Sequence, residues 1–556
     1  MVTKRKWIGV LALVLVLVWV FPVFSQESFP PVVAIRVEGN QHISERLILS
    51  AVSLSLKEPF NPEKVKNDLK AIYDLGYFSK VWVDTKKYPD GVEVIYKVKE
   101  FPVIQDIAIS GNTALTTEEI RKVMIVSPGQ VMNWKIFQRD LERIKALYSD
   151  SGFIVAYMDG INFENGVLNF TLHEGIIEEV VFEGLEKTKE YVLRRELDFE
   201  PPVIFDFARI KKNMQKIYDL GFFEDLSMKL EPGSDQEHIK VVIGVVEKKT
   251  GLAGVGIGYN TEEGWLGYIR YQEANLGGNG QKVELRYEFG SRTLYRLYFE
   301  EPWFLGDPTL LALSLYDQIK ERTNYEDGEE IGEYEEERIG GQLVFGRKIN
   351  EDWSWRLTAK SEKIDITVLE GEAPDRGGVT NSLSPMIIYD TRDSVLDPKK
   401  GWYASLEAEF AGGALGGDNT FAKYVLDVRH FIDTGPDTVL ALRLLGGTSD
   451  TSLPDYEKFG VGGVNTLRGY DLFEFEGEKM LVCNLEYRWT VSENTQVVFF
   501  GDAGYAWPYE EPVSFEDIKT GYGVGIRVDT PIGPVRLDYG IGERGGQTYF
   551  SIGHTF

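Results

Sequence analysis

Residues Gln281 to Phe289 alternate strictly. Val283, Leu285, Tyr287 and Phe289 are apolar, while Lys282, Glu284, Arg286 and Glu288 are charged. Successive strand side chains point to opposite faces, so the segment predicts a strand with one apolar and one charged face. The pattern recurs at Trp402, Ala404, Leu406, Ala408 and Phe410, set against Tyr403, Ser405, Glu407 and Glu409. Near the end of the chain, Phe550, Ile552 and Phe556 share a face. Such alternation fits a soluble β-sandwich or a transmembrane β-barrel. From Gly251 onward helical periodicity disappears. Sixteen candidate strands are separated by turns such as Gly277-Gly278-Asn279-Gly280, Gly306-Asp307-Pro308 and Gly435-Pro436-Asp437. Sixteen strands are many for a sandwich and suit a bacterial barrel with an even strand number.

The first half follows another rhythm. Short apolar strands lead into Gly39, Gly111 and Gly184, which are 72 and then 73 residues apart. A fixed spacing of this kind marks tandem modules. In the first module, Asn61 and Pro62 form an N-cap and N1 pair. Val65, Leu69 and Ile72 line one helix face, and Gly76 stops the helix. Phe137, Leu141 and Ile144 before Gly152, and Ile210, Met214 and Ile217 before Gly221, repeat the spacing. Two alternating strands close each unit, giving the order β-α-α-β-β. The expected fold is therefore α+β modules in tandem, followed by an all-β, sixteen-stranded antiparallel transmembrane barrel. The expected divisions are residues 31–100, 101–175 and 176–250 for the modules and 251–556 for the barrel. A small sheet covered on one face by helices has free edges, and a free edge can pair with an extended peptide. The plainer role for the modules is that of a spacer.

Lys4, Arg5 and Lys6 precede an apolar run from Trp7 to Phe24, with small residues at Val23 and Ser25. This describes a secretory signal peptide over residues 1–25; an uncleaved anchor is the other reading. No later segment approaches 18 consecutive apolar residues, so a membrane-embedded remainder must be a closed barrel. The sole cysteine, Cys483, forbids an intramolecular disulfide. A net charge of −27 argues against nucleic acid as a partner. Eight Asp or Glu residues between Glu326 and Glu337 are expected to form a solvated loop.

The motifs do not point to catalysis. Gly254-Val255-Gly256-Ile257-Gly258 and Gly521-Tyr522-Gly523-Val524-Gly525 do not open a helix in a βαβ unit, so they read as close backbone approach rather than nucleotide binding. The sequence contains no GxxxxGK[ST], HExxH or GxSxG, and its five histidines show no metal-ligand spacing. The unusual segment is the glycine-rich loop from Gly460 to Tyr470, which carries Arg468. Folded into a barrel lumen, Arg468 needs acidic partners, because an unpaired buried charge is costly. Glu486 and Asp502, on the following strands, are the candidates; a solvated Arg on an exposed loop is the plainer reading.

Together these features resemble the BamA family of outer-membrane assembly factors, with their polypeptide-transport-associated (POTRA) modules. Leu467-Arg468-Gly469-Tyr470 is similar to the family's loop-six Val-Arg-Gly-Phe/Tyr motif, with Leu in place of Val. Glu301-Pro302-Trp303-Phe304, Asp390-Thr391-Arg392-Asp393, Thr530 to Tyr539 and Phe550 to Phe556 also resemble family segments. The resemblance implies that Arg468 pairs with Glu486 and Asp502 inside the barrel. It implies a lateral seam between a first strand carrying Gly251, Gly254, Gly256 and Gly258 and a last strand carrying Phe550, Ile552 and Phe556. It further implies residence in the bacterial outer membrane with the modules in the periplasm, and contact with outer-membrane lipid. The substrates would be nascent outer-membrane β-barrel polypeptides, with periplasmic chaperones and accessory lipoproteins as partners, no nucleic acid, no metal and no cofactor. The best-known members carry five modules, whereas three occur in the translocation-and-assembly (TamA) branch. That branch, and the two-partner secretion exporters, are the alternative readings.

Overall fold

A computed structural model describes residues 29–326, 329–372, 377–530 and 533–552. The expected signal peptide and Phe556 lie outside the described residues. The chain separates into two compact units whose boundary runs through the third module.

Each module forms as its periodicity predicts. In the first, strand Val32–Glu38 runs parallel to Gly91–Glu100, which pairs antiparallel with Phe78–Tyr88. Helix Pro62–Tyr73 covers this sheet. The Asn61 side chain accepts from the Glu63 and Lys64 amides at the helix start, and Gly76 follows its end at φ 86°. Val65 and Ile72 are buried against Val94, Tyr96 and Val98. The second module repeats the plan with strands Asp106–Ser110, Val155–Glu164 and Val167–Glu174 and helix Trp134–Asp150. The third differs: a two-residue strand, Val203–Ile204, adds itself beside Ile176–Glu183, so the sheet has four strands.

The period-2 segments close into an antiparallel barrel of sixteen strands, from Gly251–Asn260 to Gly545–Ile552. The two faces separate as the alternation requires. Leu285 is 50% exposed and Trp402 44%, whereas Glu284 and Glu288 are buried within the lumen. The inward charges pair with neighbouring strands: Arg296 with Glu284 at 2.8 Å, and Arg443 with Asp427 at 2.9 Å. On the outside, Tyr287 stacks on Tyr295 with centroids 4.9 Å apart. The apolar band facing outward and the charged ladder facing inward are the reverse of a soluble protein and belong to a barrel in lipid.

The acidic run departs from expectation. Glu329 to Glu337 belong to strand Glu329–Lys348, not to a solvated loop. Glu336 is fully buried between Arg322 and Arg338, at 3.2 and 2.9 Å. Arg322 and Arg338 neutralise Glu336, the carboxylate buried inside the barrel, while Glu329, Glu330 and Glu333 are exposed, which lets a strongly acidic sequence form a strand.

Candidate functional site

The segment between strands Thr438–Ser449 and Lys479–Ser492 folds back into the lumen. Its two legs pair as a short hairpin, Phe459–Val461 with Phe475–Gly477. The tip is a tight turn in which the Leu467 amide donates to the Gly463 carbonyl at 3.1 Å and the Thr466 hydroxyl donates to the Gly462 carbonyl at 2.7 Å. Leu467 is buried beside Leu445, Val461 and Val482.

Arg468 is the centre of the arrangement; its side chain is 3% exposed. Its Nε and Nη2 donate to the two oxygens of Asp502 at 2.6 and 2.8 Å, a bidentate pair. Nη1 donates to Glu486 at 2.8 Å and lies 3.5 Å from Asp538. The guanidinium carbon sits 3.5 Å from the centroid of the Phe500 ring. Further cations balance the acids: Arg488 and Arg527 reach Glu486, and Arg536 reaches Asp538. The result is a closed network of alternating charge that ties the loop tip to four barrel strands.

Glycines form the floor beneath the tip. A Cβ at Gly521 would lie 1.8 Å from the Arg468 carbonyl oxygen. At Gly542 it would meet the Gly469 carbonyl oxygen at 2.5 Å, and at Gly540 the Gly469 nitrogen at 2.9 Å. Gly469 itself has φ 100°. The Gly-x-Gly-x-Gly run at 521–525 is therefore a surface for close backbone approach. The Tyr549 hydroxyl accepts from the Gly469 and Tyr470 amides at 2.7 and 3.1 Å and donates to the Tyr470 carbonyl at 2.8 Å. The Tyr470 hydroxyl donates to the Thr520 carbonyl at 3.2 Å.

The barrel closes where its first and last strands meet. Among the described residues that ladder has two residue pairs, Tyr259 with Ile552 and Asn260 with Ser551. By contrast, the first strand pairs with the second along its whole length, from Gly251 opposite Glu273 to Asn260 opposite Gly264. Gly256 lets the Tyr268 ring lie across the strand, since a Cβ there would come within 2.4 Å of it.

The structure thus brings Leu467, Arg468, Gly469, Tyr470, Glu486 and Asp502 into one cluster. Gly251, Gly254, Gly256 and Gly258 lie on the first strand and Phe550 and Ile552 on the last, but none of these glycines pairs with the last strand among the described residues. The sequence reading missed Asp538, Phe500 and Tyr549. The signal for Asp538 was present, because it alternates with apolar Leu537 and Tyr539 as Glu486 does with Leu485 and Tyr487. Elsewhere, Asp390 pairs with Arg392 at 2.8 Å, and Asp393 accepts from the Lys399 amide at 2.9 Å, shaping a turn.

Similarity to known proteins follows the same outline. Residues 275–556 match the Omp85 superfamily domain, and residues 30–100, 102–175 and 176–248 match the POTRA repeat, described as a surface antigen variable number repeat. The outer membrane protein assembly factor BamA of Nitratidesulfovibrio vulgaris is 25% identical, over 94% of this chain and 73% of its own. The chloroplastic outer envelope protein 80 of Arabidopsis thaliana is 23% identical over 88% of this chain and 72% of its own. Among solved structures, BamA from Haemophilus ducreyi lacking POTRA domains 1–3 superposes with a TM-score of 0.61 at 18% identity, covering 81% of this chain and 99% of that one. With a family match that spans half of its length, three repeats before it and a closed sixteen-stranded barrel, the chain belongs to the Omp85 superfamily.

Proposed function

We propose that this protein is an outer-membrane protein assembly factor, which folds and inserts β-barrel proteins into the bacterial outer membrane, with its three modules in the periplasm. The observation that carries this reading is a closed sixteen-stranded barrel, with Arg468 of an inward-folded loop tied to its wall, preceded in the chain by a tandem array of sheets with free edges. The likeness to assembly factors along nearly the whole chain supports it. The basic and then apolar run at residues 4–24 is the export signal that such a location requires.

In this mechanism the seam parts sideways and exposes backbone N–H and C=O groups on the first strand, Gly251–Asn260. An incoming substrate strand pairs with that edge. Backbone hydrogen bonds provide affinity without demanding one side-chain sequence, so many different barrels qualify as substrates. The substrate's own folding supplies the free energy. Periplasmic chaperones deliver unfolded chains, accessory lipoproteins dock on the modules, and Arg468 braces the loop tip against the lumen wall.

The decisive experiment is conditional depletion in the host, followed by the heat-modifiable gel mobility of outer-membrane proteins. Loss of many unrelated folded barrels is expected. An intact set lacking one exported protein would reassign the chain to secretion.

A further inference from the structure

We propose that the loop tip is also a latch across the seam, gripping the first hairpin through Glu262 and the last strand through Tyr549, and that it releases at the Glu262 end. This rests on the reading above, in which the barrel opens at the seam.

Beside the described seam pairs, Tyr259 with Ile552 and Asn260 with Ser551, further bonds cross between the first hairpin, the last strand and the loop tip. Thr261, in the turn after the first strand, donates its amide to the Phe550 carbonyl at 3.0 Å, and its hydroxyl accepts from the Phe550 amide at 3.2 Å. The next residue leaves the barrel wall. The Glu262 carboxylate accepts from the Val464 amide at 2.8 Å, within the loop tip. From the other side of the seam, the Tyr549 hydroxyl makes the three hydrogen bonds to Gly469 and Tyr470 described above. Gln547 adds a bond from its amide nitrogen to Asp471 at 2.7 Å. The tip therefore bridges the two strands that meet at the seam, while Arg468 fixes it to the strands that precede them.

The two ends of the bridge are unequal. The last strand is held by Tyr549 and Gln547 and is also paired along its length with Gly533–Gly542. Among the described residues, the first hairpin's hydrogen bond to the tip is the one the Glu262 carboxylate accepts from Val464. Glu262 is half-buried, and its carboxylate takes the Val464 amide as a direct partner at 2.8 Å. Opening then takes the path with fewer bonds to break: the first hairpin leaves, and the last strand stays with the tip. Glu262 and Tyr549 are positioning residues in this scheme, because they set the resting state of the seam without touching the substrate.

The test uses pulsed electron–electron distance measurements on the full-length protein in lipid nanodiscs, without substrate, in a Cys483→Ser background. Spin labels at Trp265 on the first hairpin and at Thr548 on the last strand are each measured against one at Tyr522. All three sites are exposed. In the parent, each pair gives one narrow distance. Glu262→Ala is expected to add a population at the 265–522 pair that is longer by at least one strand spacing, about 5 Å, with no change at 548–522. Glu262→Gln retains an acceptor oxygen and is expected to restore the narrow distribution, while Glu263→Ala leaves it unchanged. Tyr549→Phe is expected to broaden the 548–522 distances as well. Heat-modifiable mobility checks that every variant is folded. Parent-like 265–522 distances in folded Glu262→Ala would overturn the latch. Because no substrate is present, that result is separable from a failure of the assembly function itself.

Discussion

At the scale of single residues, the lumen network sets the terms. Arg468 is buried with three carboxylates around it, and two of those carboxylates carry further arginines. Removing one member of a buried charge network leaves the others unpaired, at a cost of about 3–5 kcal/mol. Arg468→Ala is therefore expected to lower the temperature at which the folded barrel converts to its slower-migrating form. Arg468→Lys is expected to recover little, because an ammonium cannot make the bidentate contact with Asp502 while also reaching Glu486. Gly521→Ala is a different kind of change: its methyl group meets the Arg468 carbonyl and lifts the tip. Hydrogen exchange at the Gly469 and Tyr470 amides is expected to accelerate, with the barrel strands unaffected. Arg468, Glu486 and Asp502 were legible in the sequence, since a buried cation demands acids and alternation shows which acids face inward. Tyr549 and Glu262 were not, because their partners are backbone amides that only a closed barrel brings near.

At the scale of elements, the three modules share a device that spacing alone did not show. Gly39, Gly111 and Gly184 have φ between 79° and 93°, and a Cβ at each would collide with the carbonyls of Val98, Leu172 and Val245. Two residues beyond each of those carbonyls stands a glutamate. Glu100 accepts from the amides of Gln41, His42 and Ile43; Glu174 from Thr113 and Ala114; Glu247 from Glu186, Lys187 and Thr188. The glycines were visible as punctuation, but the carboxylates looked like ordinary strand-end charge. Partial burial works against ionisation of Glu100 and Glu247, yet their amide donors outweigh it and hold both below the usual carboxylate range. A depressed carboxylate stabilises the fold above its unfolded pKa, about 4.3, and that contribution is lost as pH falls through the lower folded value. Exchange protection at residues 41–43 and 186–188, corrected for intrinsic rates, is expected to hold at pH 6 and to fall below about pH 4. The acidic hairpin was misread for a related reason. Charge density predicts solvation only when the counter-charges are unknown; Arg338 shares a strand face with Glu336, and Arg322 reaches it from the neighbouring strand on folding.

At the scale of the whole molecule, strand number, face polarity and modular order were all legible, because each repeats many times and so survives local exceptions. The register of the seam was not, since it joins residues nearly 300 apart in sequence. It also gives the clearest control. Directly opposed residues of an antiparallel pair lie within the Cα range that a disulfide spans. Tyr259→Cys with Ile552→Cys, in a Cys483→Ser chain, is expected to lock the seam when oxidised. Assembly of an unfolded test barrel in proteoliposomes is then expected to stop and to return on reduction. Full activity of the oxidised protein would remove the seam from the mechanism.

The joints between modules also repeat. The Trp134 amide donates to the Gly76 carbonyl at 3.1 Å, and the Phe207 amide to the Gly152 carbonyl at 2.9 Å, so the first two helix stops each receive the start of the next module's helix. The middle module is thus a cassette coupled at both ends. Inserting a further copy of about one repeat length at such a joint extends the array without new chemistry, because the incoming unit offers the contact it replaces. Reach below the membrane is in this sense a quantity that duplication and deletion adjust in whole steps, while the barrel is left untouched.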